Sequence, residues 1–262
     1  MEQAGQRITA WRPAVPGIAE VFHARVTDHA YPMHTHDTWT LLIVDHGTIQ
    51  YDLERHRHGA LVSEVHLLPP HVPHNGRPAY RDGFHKRVLY LDAELLGSEL
   101  TGAAMDTPSL VDPRLRARVH RLHLALGMPG EQFAASGRLA LVRDELAARL
   151  RRREPAAAAA PTLARVLREL LDEAVVTGVS LAEAAARLHA HPGHLVRSFT
   201  AAYGIPPHAY LTGRRVDAAR RLLLRGVPPA EVAGAVGFYD QAHLTRHFRR
   251  HVGTTPARFA TR

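Results

Sequence analysis

EVAGAVGFYDQAHLTRHFRRHVGTTPARF, residues 231–259, opens on small side chains, breaks at Gly237-Phe238-Tyr239-Asp240, and resumes with a leucine and a phenylalanine four residues apart. A short alanine-rich helix, a break and a second amphipathic helix form the helix-turn-helix layout. Gly237 can take the left-handed conformation such a break needs, and Asp240 can cap the helix that follows. The stretch has an earlier copy. LAEAAARL at 181–188 matches PAEVAGAV at 229–236, and LVRSFTAAYGIPP at 195–207 matches LTRHFRRHVGTTP at 244–256, an offset of 48 to 49 residues. Leu195, Arg197, Phe199, Gly204 and Pro207 thus recur as Leu244, Arg246, Phe248, Gly253 and Pro256.

In the first copy the break is HAHPG at 189–193, with Pro192 suited to a helix N-terminus. Ala185 and Ala233 leave room for the close helix crossing of the motif. Between the copies, AYLTGRRVDAARRLLLRG at 209–226 predicts a long basic helix with Val216, Ala219, Leu222 and Leu223 as its buried stripe. It would hold the two units at a fixed separation. Two recognition helices about 34 Å apart can enter successive major grooves on one face of DNA. The alternative at this stage is a helical bundle in which the repeat serves packing only.

Charge points the same way. The 262-residue chain has a formal charge of +8, but residues 1–161 carry 19 Lys+Arg against 18 Asp+Glu, whereas residues 162–262 carry 14 Arg and no Lys against 7 Asp+Glu. The positive field therefore sits on the C-terminal segment, where it would attract a polyanion. No cysteine is present, which excludes disulfides, thiolate catalysis and cysteine-ligated metal. No apolar run approaches the roughly 18 residues of a membrane span, and MEQAGQRITAWRPAVPG lacks the pattern of a secretory signal. A cytoplasmic, membrane-free protein is expected.

The run at 231–259 resembles the signature of the AraC/XylS family of transcription regulators, and SLAEAAARLHAHPGHLVRSFTAAYGIPPHAYL resembles the family's first, more variable unit; the likeness covers about residues 164–262. It implies double-stranded promoter DNA as partner, with RNA polymerase a further one if the protein activates. Base contacts carried over from the family fall on Gly193, Val196 and Arg197 in the first unit and on Ala242, His243 and Arg246 in the second. Gly193 and Ala242 offer little hydrogen bonding, so readout would lean on Arg197, His243 and Arg246. A groove-facing arginine can bind guanine in bidentate fashion. Arg214, Arg215, Arg249 and Arg250 are expected on phosphates, giving affinity without specificity.

The N-terminal part reads differently. From about Val21 to Leu91, runs such as TLLIVDHGTIQYDL, ALVSEVHLLPP and HKRVLYLD indicate an all-β region. MHTHDTWTLLIVDHG sets His34 and His36 on one face of a strand, and LLPPHVPH supplies His71 and His74. This spacing resembles the cupin signature, with Thr40 where its glutamate would stand and Gly47 at its closing glycine. The imidazoles could bind zinc, nickel or iron. A small barrel also offers an apolar cavity with few polar groups, so His34, His36, Trp39, Thr40, Tyr51 and His74 are taken as lining an effector pocket, with no metal and no cofactor expected.

Beyond Pro113, Leu115, Val119, Leu122 and Leu126 make one helical stripe and Leu139, Val142, Leu146 and Leu150 a second, two helices in hairpin. The stripes suggest a homodimer, or else they pack on the β region of the same chain. The expected fold is thus α+β and multidomain. A cupin-like β-barrel for sensing spans 1–112, a helical hairpin 113–153, a linker 154–161 (EPAAAAAP is 154–161), and an all-α DNA-binding domain with two helix-turn-helix units 162–262. A ligand-responsive, non-enzymatic transcription factor follows. The competing readings are a cupin-type metalloenzyme with a helical appendage and an interaction adaptor that no longer binds DNA.

Overall fold

The computed structural model describes residues 6–54, 56–152 and 162–260. The linker expected at 154–161 lies outside the described residues. The N-terminal part builds strands β1 (Arg7–Trp11), β2 (Ile18–Val26), β3 (Tyr31–His34), β4 (Trp39–Gly47), β5 (Ile49–Leu53), β6 (His56–Ala60), β7 (Val65–Leu68), β8 (His74–Pro78), β9 (Phe84–Leu91) and β10 (Ser109–Leu110). They form two antiparallel sheets, β1-β2-β9-β4-β7-β10 and β3-β8-β5-β6. No ladder among the described residues closes them into the single barrel expected from the sequence; the two sheets face each other across a shared core.

The central strands β4 and β9 of the larger sheet explain the layering. Side chains alternate across a strand, so Leu42, Val88 and Tyr90 face the smaller sheet while Leu41, Ile43, Leu89 and Leu91 face away. WTLLIV in β4 is buried on both faces, hence apolar but for Thr40. The outward face is covered by α1 (Thr101–Asp106), α2 (Pro113–Leu126) and α3 (Gln132–Arg151). Leu115, Val119 and Leu122 of α2 and Leu139, Val142, Leu146 and Leu150 of α3 are buried in one cluster with Trp39, Leu41 and Ile43. The stripes that suggested a dimer are therefore filled within the chain, each buried leucine adding roughly 1.5–3 kcal/mol. Asp112 starts α2 by accepting from the Arg114 and Leu115 amides.

The C-terminal part is helical: α4 (Leu163–Glu173), α5 (Leu181–Arg187), α6 (Pro192–Tyr203), α7 (Pro207–Leu223), α8 (Pro229–Ala235), α9 (Gln241–Val252) and α10 (Pro256–Ala260). No described helix is long and apolar enough to cross a membrane. The repeat appears as α5–α6 and α8–α9. Ser180 and Glu183 make a reciprocal capping box on α5, and Pro192 opens α6. Gly237 holds φ 84°, and a Cβ there would lie 2.4 Å from the Val176 carbonyl, so the turn before α9 admits no side chain. Asp240 caps α9 through the His243 amide at 2.7 Å.

The two units do not share one core. Leu195 and Phe199 of α6 pack with Leu167 and Leu171 of α4, with Ala184 and Ala185 of α5, and with Tyr210. Leu244, Phe248 and Val252 of α9 belong instead to a cluster that runs from Val216 and Ala219 of α7 and Val232 of α8 into the core of the sheets, where Phe22, Tyr31 and Tyr90 lie.

Candidate nucleic-acid interface and sensor cavity

Helices α6 and α9 bury their leucine and phenylalanine and turn the opposite face to solvent. On α9, Ala242, Arg246, Arg249 and Arg250 are exposed, and Gln241, Ala242, Thr245, Arg246 and Arg249 line one shallow groove. His243 is less free. Its ring packs edge-on against Phe238 at 5.2 Å and against His247 at 4.8 Å. Burial first, then the neighbouring His243, brings His247 down to about 4, so it carries no charge at neutral pH. Tyr239, 92% exposed just before α9, is a candidate that the motif did not single out.

On α6, Arg197 is exposed, with Val196 and Gly193 half-buried beside it. A Cβ on Gly193 would stand 3.3 Å from Arg197 Nη1, so the glycine leaves room for the guanidinium that lies over it. Gly193 thus serves the face by its smallness. His194 and Thr200 are also exposed on this helix.

Arg214 and Arg215, expected on phosphates, are placed elsewhere. Arg214 is 7% exposed and lies among three carboxylates, with Nε 2.9 Å from Asp172, Nη2 3.4 Å from Asp37 and Nη1 3.6 Å from Asp217. A buried guanidinium is retained where carboxylates compensate it, and this one has no face left for DNA. Arg215 is half-buried and donates from Nε to the Val175 carbonyl at 2.8 Å, tying the loop before α5 to the turn at Gly237. Periodicity marked both as basic but could not tell which side of α7 meets the sensor.

Between the sheets lies a cavity of about 50 Å³, room for a few waters. Of the expected lining residues, His34, His36, Thr40, Tyr51 and His74 reach it. Trp39 does not. As the strand neighbour of Thr40 it points the other way, fully buried against the helical layer, with Nε1 donating to the Ala93 carbonyl at 3.2 Å. The sequence reading missed Phe22, Tyr31, Lys86, Tyr90, Arg220 and His251, all of which line the cavity. Alternation through HKRVLYL would have found Lys86 and Tyr90. Burial first, and Arg220 second, bring Lys86 down to about 7; its Nζ sits 4.0 Å from the centre of the Tyr31 ring.

The floor of the cavity is a histidine cluster. His34 Nε2 and His36 Nε2 are 3.1 Å apart, and ligand atoms of His34, His36 and His74 all lie within 4.8 Å of one another. His36 Nδ1 donates to Asp217 of α7 at 2.8 Å. Further bonds cross between the β part and α7: Arg220 to Glu20 at 2.6 Å and Arg221 to Asp37 at 2.6 Å. Burial, before any charge effect, holds His34 and His36 well below their usual range and His74 at about 4, so all three are neutral.

Comparison with known proteins agrees with both parts. The pattern of an AraC-like ligand binding domain matches residues 17–143, and that of a helix-turn-helix domain matches residues 184–262. The uncharacterized helix-turn-helix-type transcriptional regulator YbfI of Bacillus subtilis is 37% identical over 76 residues, 29% of this chain and 28% of that protein. The match thus spans little more than a quarter of that relative's length. Among solved structures, ToxT from Vibrio cholerae O395 superposes with a TM-score of 0.62 at 10% identity, covering 98% of each chain. ToxT from strain SCE256 with an unsaturated fatty acid bound gives a TM-score of 0.58 at 9% identity, over 99% of this chain and 96% of that one. Likeness at such identity concerns the fold.

Proposed function

The chain belongs to the AraC family of transcription regulators, and from that premise we propose that it binds promoter DNA through α6 and α9 and responds to a small molecule held between its sheets. The observation that carries this reading is the exposed face of each second helix, presented twice on a repeated skeleton. Helix α7, 17 residues and so about 25 Å long, is the spacer between them. Arg246 and Arg197 read bases; His243 and Val196 add contacts limited by their partial burial, and Ala242 and Gly193 permit close approach. Arg249 and Arg250 neutralise phosphates. We assign sensing to residues 1–112, support to the hairpin at 113–153, and DNA binding to 162–262 after a linker at 154–161.

The effector is read as a small anion with an apolar body. Lys86 supports this, being an amine without a carboxylate partner among the described residues, in a cavity whose walls include the apolar Phe22, Leu42, Ile49 and Val88 beside the histidines. The fatty acid held by ToxT is of this class. Because the cavity holds only a few waters, a larger occupant must part β3 from α9, whose His251 and Val252 form one wall. Effector binding would therefore move a recognition helix directly. Such a regulator works in the cytoplasm without catalysis, meets RNA polymerase where it activates, and pairs as a homodimer through Leu124, Met128, Phe133 and Leu141, exposed on the hairpin.

The test is a salt-controlled titration of the protein against its own upstream DNA and against random duplex. Wild type should prefer the upstream fragment, and Arg246→Ala should reduce that preference roughly 10- to 100-fold while keeping weak general binding. Equal affinity of the wild type for both duplexes overturns the reading.

A further inference from the structure

The chain uses arginine throughout and lysine once: among its 33 Lys+Arg, Lys86 alone is lysine. It lies in β9, where alternation sends Phe84, Lys86, Val88 and Tyr90 to the face that meets the smaller sheet, so its amine ends in the cavity. An arginine there would stay charged and would need acceptors for five N–H groups, whereas a lysine kept from water can shed its charge. Lys86 has that setting. Its Nζ stands 4.0 Å from the centre of the Tyr31 ring, 5.6 Å from that of Phe22 and 5.8 Å from that of Phe84. Burial, and after it the charge of Arg220, bring it down to about 7, so free amine is abundant at neutral pH. Desolvation and a neighbouring cation are the conditions that make a lysine nucleophilic. A second group in the same cavity lacks a partner: the Tyr31 hydroxyl is buried with no hydrogen bond among the described residues. A free donor beside a free amine, between apolar walls, fits a carbonyl group.

We propose that Lys86 captures a small apolar aldehyde as an imine, with the Tyr31 hydroxyl holding the carbonyl oxygen during the attack. The Nζ lone pair forms the new C–N bond. Both amine protons then leave with the carbonyl oxygen as water, a C=N bond replaces the C=O bond, and nothing is oxidised or reduced. His74 can pass a proton from nitrogen to oxygen. Its Nδ1 donates to the Val72 carbonyl at 3.0 Å, which leaves a lone pair on Nε2. A cavity of about 50 Å³ admits an aldehyde of a few carbon atoms, its body against Phe22, Ile49 and Val88. Exclusion of water protects such an adduct from hydrolysis. The inference goes beyond the anionic effector and does not depend on it, because a carboxylate is held by the charged amine and a carbonyl by the free one. It also stands whether or not the chain binds DNA.

The full chain, incubated near neutral pH with butanal and sodium cyanoborohydride, should gain a butyl group that peptide mapping places on Lys86. The terminal amine is the other primary amine of the sequence and serves as internal reference. Lys86 should be trapped roughly 10-fold or more faster in the folded protein than in the chain unfolded by guanidinium chloride, where its amine returns to about 10.4 and is almost wholly protonated. Lys86→Arg keeps a positive charge and Lys86→Met keeps the apolar stem; both should lose the fast adduct. Tyr31→Phe should slow trapping roughly 10-fold or more. An adduct confined to the terminal amine overturns the proposal, as does an equal Lys86 rate in folded and unfolded chain or an unchanged rate in Tyr31→Phe. If the Lys86 variants do not fold, the folded-to-unfolded rate ratio of the wild type decides. Fast trapping of Lys86 without affinity for butanoate upholds the imine and removes the anionic reading, and butanoate binding without trapping does the reverse.

Discussion

The two helix-turn-helix units share a sequence skeleton and differ in what they lean on. The first closes a core of its own, Leu195 and Phe199 against α4 and α5. The core of the second is continuous with the sheets: Leu244, Phe248 and Val252 sit with Val216, Ala219, Val232 and Phe259 in a cluster that also holds Phe22, Tyr31 and Tyr90. The two copies share a local fold, whereas what each packs against differs. A signal that swells or loosens the space between the sheets therefore reaches α9 through β3 and His251, and reaches α6 through α7 and through Met33 of β3, which packs against the Leu195 and Phe199 core.

The largest test of this contrast is a pair of core truncations. Phe199→Ala and Phe248→Ala should each cost about 3–5 kcal/mol. Hydrogen exchange should show the first loosening α4–α6 and the second loosening α9, β3 and β8 together. Confinement of the Phe248→Ala effect to α8–α10 would dissolve the contrast. Acid should separate the units next. His66 and His74 are buried with pKa values brought down to about 4, mainly by burial, against about 6.5 in an unfolded chain. As pH falls from 6.5 to 4 the unfolded state takes up protons that the folded state refuses, so stability present above pH 6.5 drains away by up to about 3 kcal/mol per histidine. The sheets and the second unit should melt on acidification while α4–α6 persist, which tryptophan fluorescence and exchange can follow separately.

Smaller differences lie on the DNA side. Arg246→Ala and Arg197→Ala should each remove roughly 1–3 kcal/mol of base discrimination, at different positions of the operator. Binding-site selection with each variant would reveal this, and relaxation at the same base pair in both would show that one unit does all the reading. Smallest are the caps. Ser180→Ala and Asp240→Ala should each cost about 1 kcal/mol. The Ser180→Ala loss should appear as fraying of α5 alone in exchange data, with Asp240→Ala felt as far as Phe238.

Much of this was legible in the chain. The repeat, the turn glycine at 237, the Asp240 cap and the helical stripes follow from local rules of φ, capping and period, and each lies within a few residues of its cause. Part of the cavity was legible too, and the Trp39 assignment failed on a local rule misapplied: a residue next to Thr40 on a strand cannot share its face. The burial of Arg214, the approach of Arg220 and His251 to the cavity and the Asp217 contact with His36 were not readable. Each depends on α7 and α9 docking against β strands well over a hundred residues earlier in the chain, and helix periodicity does not say which neighbour a basic face will meet.

The row of charges on α7 has a practical meaning for anyone recombining these parts. A splice made in the connecting segment before α4 would divide the sequence between its two matched patterns, yet it would strand Asp217, Arg220 and Arg221 opposite foreign strands lacking His36, Glu20 and Asp37. A working hybrid would have to carry those three partner positions across with the helix, because the seam of this molecule runs along one side of α7 and not through the chain where its composition changes.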